Sequence, residues 1–169
     1  VMVLGLAYIF SGFIQRPRDP FELKKRFDWN DLKFSAIVAA PAVVFHELGH
    51  KFVAMALGYS ATFHVYWFGL ALGIVLKLIA SPLLIIAPAF VSIPAGVPAL
   101  QGSLIAFAGP FVNLVLFVVS YSVLKYKKNM SRNETVGWAI SKKLNIFLFI
   151  FNMIPLPPLD GYHVLSGLF

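Results

Sequence analysis

Long apolar runs alternate with short polar intervals along this chain of 169 residues. The runs at 34–57 and 101–124 each hold about 24 residues, enough as helices to cross a bilayer core of about 30 Å. Residues 1–14 are also apolar, but this run is too short to span a bilayer, and it predicts part of a flanking helix. Residues 144–169 predict another helix, broken after Asn152 by several prolines. The pattern therefore predicts three core transmembrane helices.

Local signals mark the ends of the first core helix, 34–57. Asn30 or Asp31 could cap its N-terminus, and Gly58 stands where a helix often ends. Pro41 lies inside this run and predicts a kink. The helix is therefore expected to begin close to residue 34 and to stop at Gly58.

The region 61–100 does not have the pattern of one regular spanning helix. Residues 62–68 are rich in β-branched and aromatic side chains, which favours a strand or a re-entrant hairpin. Gly69 and Gly73 loosen the remainder, which is divided by Pro82, Pro88, Pro94 and Pro98. Non-helical backbone at membrane depth needs protein or a water-filled cavity to satisfy it. We therefore predict an irregular, membrane-associated segment that lines a site.

Two polar intervals separate the apolar runs. The interval 15–33 carries Phe21, Phe27 and Trp29, which favour a segment at the membrane interface, and a solvated linker fits it equally well. The interval 129–143 is predicted to be a polar loop.

Composition agrees with a membrane location. Hydrophobic residues make up 59% of the chain, charged residues only 12%, and the mean hydropathy is +0.81. A soluble domain of this size would lack the polar residues to cover its core. We therefore predict an all-α polytopic membrane protein in the cell membrane, with three core helices, a flanking helix and a membrane-associated β-hairpin or re-entrant segment.

The charge distribution indicates which partners and metal ligands to expect. The net charge is +7, and the basic residues flank apolar runs, which favours lipid headgroups of the bilayer over nucleic acid. Cysteine is absent, so a disulfide framework and a thiolate metal site are both excluded. Any metal must be held by histidines and carboxylates.

The sequence His46-Glu47-Leu48-Gly49-His50 lies inside the first core helix. Residues four apart share one helical face, so both imidazoles could bind a single zinc ion. Glu47, next to the first histidine, could act as general base towards a water at that site. A catalytic zinc therefore needs water in a segment that is predicted to span the membrane.

Ionisable groups inside apolar runs are costly, and each is a functional candidate. Asp160 is the carboxylate besides Glu47 in such a run, which makes it the leading third ligand. As an Asp before Gly161 it could instead be a turn residue. His64 and His163 are alternative ligands, for which structural roles are favoured. Lys51 and Lys77 are expected to extend towards the headgroups.

Two amides also lie in apolar runs. Asn113 could form hydrogen bonds between helices or contact a substrate. Asn152 could also form hydrogen bonds between helices, or it could point into the cavity that holds Asp160 and donate to a developing oxyanion.

Three motifs together resemble the site-2 protease family of intramembrane zinc metalloproteases. They occur on separate apolar segments, in the family's order, at 46–50, 109–113 and 152–161. The resemblance implies one zinc ion bound by His46, His50 and Asp160, with Glu47 as catalytic base and Asn152 as transition-state donor. The family's re-entrant β-rich segment would correspond to residues 62–75, where Phe63 and Val65 are candidate substrate contacts, together with Asn113.

The resemblance implies hydrolysis of peptide bonds in or near transmembrane segments of other membrane proteins. An extended substrate could then pair with the strand at 62–68 by β-addition. The competing interpretation is a non-proteolytic zinc-binding or zinc-transporting membrane protein. Such a carrier could tolerate loss of Glu47, whereas a protease could not.

Overall fold

The computed structural model describes residues 2–11, 13, 14, 16, 17, 28–79 and 89–168. These residues form six helices and two strands: α1 (Met2–Phe10), α2 (Trp29–Ala56), β1 (Thr62–Val65), α3 (Trp67–Leu78), β2 (Ala89–Ser92), α4 (Ala99–Tyr126), α5 (Arg132–Asn152) and α6 (Asp160–Ser166). The interfacial placement predicted for Phe21 and Phe27, and the breaks predicted at Pro82 and Pro88, lie outside the described residues.

Helix α2 begins before the predicted residue 34, because Asp28 caps it. The Asp28 side chain accepts a hydrogen bond from the Asn30 backbone amide at 2.8 Å. The predicted caps Asn30 and Asp31 are therefore wrong, since both lie in the first turn. Gly58 has a φ of 87° immediately after the helix, which confirms the predicted end, because this backbone conformation favours glycine. The helix continues through Pro41.

Helix α4 contains the whole predicted run 101–124, whereas helix α5 begins inside the interval predicted to be a loop. Ser131 and Glu134 form a capping box, in which each side chain accepts a hydrogen bond from the other residue's backbone amide. Hydrogen bonds from Lys127 and Ser131 lower the pKa of Glu134 to about 2, so this carboxylate stays ionised and the capping box stays intact in mildly acidic solution as well. The loop prediction for 129–143 is therefore wrong.

The last predicted helix, 144–169, is two helices. Helix α5 ends at Asn152, and α6 starts at Asp160 after a non-helical link. The predicted break after Asn152 is confirmed, and Asp160 becomes the first residue of a new helix. Because α6 packs on α4, this break turns the chain back towards the centre of the fold.

The region 61–100 contains both a confirmed and a wrong prediction. Strands β1 and β2 pair antiparallel, with Thr62 opposite Ser92 and Val65 opposite Ala89. Residues 67–78, however, are helical, although Gly69 and Gly73 are helix-weakening. Both glycines are buried within this helix.

Lys77 holds α3 against the end of α1. Its ammonium donates to the Tyr8 carbonyl and, at 2.8 Å, to the Ser11 hydroxyl, and it lies 3.6 Å from the centre of the Tyr8 ring. These contacts satisfy carbonyl and hydroxyl groups at a helix C-terminus. The extension of Lys77 towards headgroups stays a prediction, since these contacts do not locate the ammonium relative to a membrane.

Helix α4 lies at the centre of the fold and packs against α2, α5 and α6. A hydrophobic cluster on the other side of α2 joins α1 to α2 and β2, and its buried members are Met2, Leu6, Phe10, Ile14, Val38, Ala39 and Ala89. Among the described residues, α2 and α4 are the helices long and apolar enough to cross a membrane. The third core span stays a prediction.

Candidate metal centre

The side chains of His46, His50 and Asp160 meet where the first residue of α6 approaches α2 and α4. His46 Nε2 lies 3.1 Å from an Asp160 carboxylate oxygen, and His50 Nε2 lies 3.4 Å from the other. The two Nε2 atoms are 3.1 Å apart. Both imidazoles are buried, and Asp160 is partly buried. The structure thus brings together the three ligands predicted from the sequence.

The far side of each imidazole determines which nitrogen can bind a metal. His50 Nδ1 lies 2.7 Å from the Ile105 carbonyl, and His46 Nδ1 lies 2.7 Å from the Asn113 side-chain oxygen. Both partners are acceptors, so each Nδ1 carries the hydrogen and donates. With its hydrogen on Nδ1, a neutral ring would direct its Nε2 lone pair towards the other ring and towards Asp160, where a metal ion would bind.

This donor set fits a zinc ion. Two imidazole nitrogens and a carboxylate oxygen are ligands that zinc accepts, and three protein ligands leave a coordination position for water or substrate. Atoms from all three residues lie within 4.8 Å of one another. The acceptors behind the rings also match the usual support of metal-binding histidines.

Glycines let the helices approach closely around these rings. A Cβ added to Gly109 on α4 would lie 2.6 Å from His50 Cε1 and 2.8 Å from His46 Nε2. A Cβ on Gly49 of α2 would lie 2.8 Å from the Ala108 carbonyl oxygen. Neither position can carry a side chain without a shift of the backbone or the imidazoles.

We expect Gly109→Ala to reduce zinc binding strongly. The new methyl group would occupy space beside both Nε2 atoms, so the imidazoles must move out of their convergent geometry. Gly102→Ala is the matched control, because it lies on the same helix with nothing within 4 Å of its added Cβ. Metal analysis of both purified variants checks this. Equal zinc content in the two would contradict it.

Asp160 is held in place by the packing of α6 on α4. Ser103 on α4 donates to the Val164 carbonyl at 2.9 Å. Gly161 lies so close to the Met153 backbone that a Cβ there would meet the Met153 carbonyl group. Asp160 and Gly161 are the first residues of α6, so the alternative prediction of a turn at this pair is wrong, and Gly161 permits the tight approach that aims Asp160.

Glu47 is buried on α2 beside His46. Its carboxylate interacts electrostatically with His46, His50 and Asp160. No hydrogen bond to this carboxylate is found among the described residues, so its oxygens are not committed to another protein group. This arrangement suits a group that exchanges a proton with water next to the two histidines.

The two amides singled out in the sequence lie in different settings. Asn113 is completely buried, and its amide bonds to His46, to the Ala42 carbonyl and to Asn145. It therefore supports His46 from behind and is not accessible to a substrate. The Asn152 amide donates to the Leu148 carbonyl within its own helix at 3.0 Å. Its role as oxyanion donor stays a prediction.

The candidate residues on β1 divide between the two faces of the strand. Phe63 and Val65 are partly buried against the hydrophobic cluster, and their role as substrate contacts stays a prediction. His64 is exposed, stacks on Phe90 and lies 3.0 Å from the Ser92 hydroxyl. His163 is also exposed, and its ring packs on Tyr162. Both histidines thus have contacts outside the ligand group.

Sequence reasoning missed two groups behind the imidazoles. Asn145 on α5 is an amide in an apolar run, and the criterion that selected Asn113 would have selected it too. The Ile105 carbonyl could not have been found, because a backbone oxygen carries no sequence signal.

Comparisons with known proteins agree with this donor set. Neither a protein-family model nor a solved structure matches the chain. The chain is 31% identical over 166 residues to "Putative zinc metalloprotease MJ0611" of Methanocaldococcus jannaschii, which covers 98% of this chain and 80% of that protein. It is 38% identical over 79 residues to "Putative zinc metalloprotease YwhC" of Bacillus subtilis, which covers 42% of this chain and 36% of that protein.

Proposed function

Since this chain belongs to a zinc metalloprotease family, we propose that it is a site-2 protease type enzyme that cleaves peptide bonds in or near transmembrane segments of membrane proteins. The observation that carries this proposal is the convergence of His46, His50 and Asp160 beside the buried Glu47. One zinc ion at these three ligands would complete the site.

The outer surface supports a membrane location for the reaction. Large apolar side chains point outwards from α2, α4 and α5, including Ile37, which is 74% exposed, Phe52, Val118 and Ile150. A soluble protein rarely exposes so many large apolar groups on adjacent helices. Lipid tails would cover these side chains without cost, so we infer that the reaction takes place at membrane depth.

Each residue at the site has a separate role in the proposed reaction. Zinc in such a site lowers the pKa of a bound water and polarises the scissile carbonyl. Asn113 and the Ile105 carbonyl keep both Nε2 lone pairs aimed at the site. Glu47 accepts the proton of the attacking water and returns it to the leaving amine.

The two-stranded sheet is a candidate site for holding an extended substrate. A transmembrane helix must unwind before its carbonyls can be attacked, because its backbone is hydrogen-bonded. Strand β1 is paired with β2 along one edge, and both strands pack on α2. A substrate segment could add to the backbone of the other edge, where main-chain bonds supply affinity.

The experiment that tests this function uses the purified chain in zinc-loaded liposomes. A reporter with one transmembrane helix and a tag at each end should be cut, and a chelator should stop cleavage. A soluble unstructured peptide should be cut far more slowly. Equal rates on both substrates would contradict a membrane substrate. Zinc movement across the liposomes without any cleavage would favour the carrier instead.

A further inference from the structure

A buried chain of polar groups runs from His46 across α4 to α5. The Asn113 amide nitrogen donates to Asn145 Oδ1 at 2.9 Å, and the Asn145 amide nitrogen donates to the Ser141 carbonyl at 2.9 Å. Asn113 and Asn145 are at most 1% exposed. Burying an amide destabilises the folded protein unless the amide forms hydrogen bonds there.

The orientation of Asn113 decides the tautomer of His46. If the Asn113 amide were reversed, its NH₂ group would face His46 Nδ1, which would then have to accept. The ring would carry its hydrogen on Nε2, and that nitrogen could no longer bind a metal. Two acceptors prevent this reversal: the Ala42 carbonyl at 2.9 Å and Asn145 Oδ1.

Asn145 is in turn oriented by an acceptor that cannot change its role. The Ser141 carbonyl can only accept, so the Asn145 NH₂ group faces it and Oδ1 faces Asn113. Asn145 is the buried residue of α5, although its neighbours in sequence, Leu144 and Ile146, are apolar. A purely packing role at this position would suit an apolar side chain better.

We propose that Asn145 is a positioning residue for the metal centre, which holds the Asn113 amide in the orientation that keeps the His46 Nε2 lone pair directed at the metal. This inference rests on the proposed function, because it assigns a metal ligand role to His46. Helix α5 thus contributes to metal binding although none of the three proposed ligands lies on it.

The first test is zinc affinity, measured by competition with a chelator on the intact protein in detergent. Asn145→Leu keeps a similar volume and removes the acceptor, so zinc affinity should fall by about 10- to 100-fold, as for other groups that orient metal-binding histidines. Ser35→Ala is the matched control. It removes a buried hydrogen bond of 2.9 Å from α2 to the Ile14 carbonyl, which involves neither Asn113 nor Asn145, and zinc affinity should not change.

The second test separates positioning from general loss of stability. In an Asn113→Ala background, Asn145→Leu should lower zinc affinity no further, because the group it orients is gone. The visible spectrum of the cobalt-substituted protein should change in Asn145→Leu and stay the same in Ser35→Ala. Asn145→Ser offers a second variant if the leucine variant does not fold.

The outcomes distinguish this inference from the proposed function. Unchanged zinc affinity and an unchanged cobalt spectrum in folded Asn145 variants would overturn the inference, even if the wild-type protein cleaves membrane reporters. Additive effects in the Asn113→Ala background would overturn it as well. A wild-type protein that binds zinc but cuts nothing would reject the protease, and the affinity measurements would still decide the role of Asn145. Absence of zinc binding in the wild type would overturn both.

Discussion

Glu47→Gln is expected to lower cleavage of a membrane reporter by about 10²- to 10⁴-fold, the usual contribution of a positioned general base. Zinc should stay bound, because His46, His50 and Asp160 are unchanged and converge without help from Glu47. The amide has nearly the same shape as the carboxylate but cannot accept the proton of the attacking water.

Reporter cleavage and metal content measured on the same preparation check this prediction. Glu134→Gln is the matched control, since it makes the same chemical change at an exposed carboxylate in the first turn of α5. Its activity should equal that of the wild type. Cleavage at the wild-type rate by Glu47→Gln would refute the assigned base, and zinc transport that survives the change would support the carrier.

Asp160→Ala is expected to remove zinc at the concentrations used for purification. The change deletes one of three converging donors, and it leaves two imidazoles without the carboxylate that lies 3.1 Å and 3.4 Å from them. Loss of a ligand should weaken binding by more than the roughly 10- to 100-fold effect of groups behind a ligand. Activity should disappear together with the metal.

Metal analysis with increasing zinc in the buffer measures this effect. Tyr162→Phe is the matched control on the same short helix, because Tyr162 is partly exposed and its change leaves the carboxylate in place. Wild-type zinc affinity in Asp160→Ala would mean that another group completes the site. The two histidines that the sequence left open, His64 and His163, would then be the next residues to replace.

The length of the apolar runs predicted α2 and α4 well. The long apolar runs correspond to α2 and α4, which are long and apolar enough to cross a membrane and which expose apolar side chains as well as burying them. The same criterion placed the start of α5 too late. Its first turns are polar, and they are held by the capping box of Ser131 and Glu134 instead.

Residue chemistry predicted α3 poorly for a related reason. Glycine lowers helix propensity by about 1 kcal/mol relative to alanine, so Gly69 and Gly73 argue against a helix in isolation. In the fold both glycines are buried, and Lys77 ties the helix to α1. Tertiary packing therefore outweighed propensity, which a single segment cannot reveal.

The sequence by itself determined the local half of the candidate metal centre. The spacing of His46 and His50 places both on one helical face, and Glu47 follows directly, because a helix repeats every 3.6 residues. Only the tertiary structure decided the other half. Asp160 reaches the imidazoles because the chain breaks after α5 and α6 packs on α4, and Asn113 and Ile105 fix the tautomers from α4. These contacts join residues far apart in the chain, and helix packing rather than local spacing sets their distances.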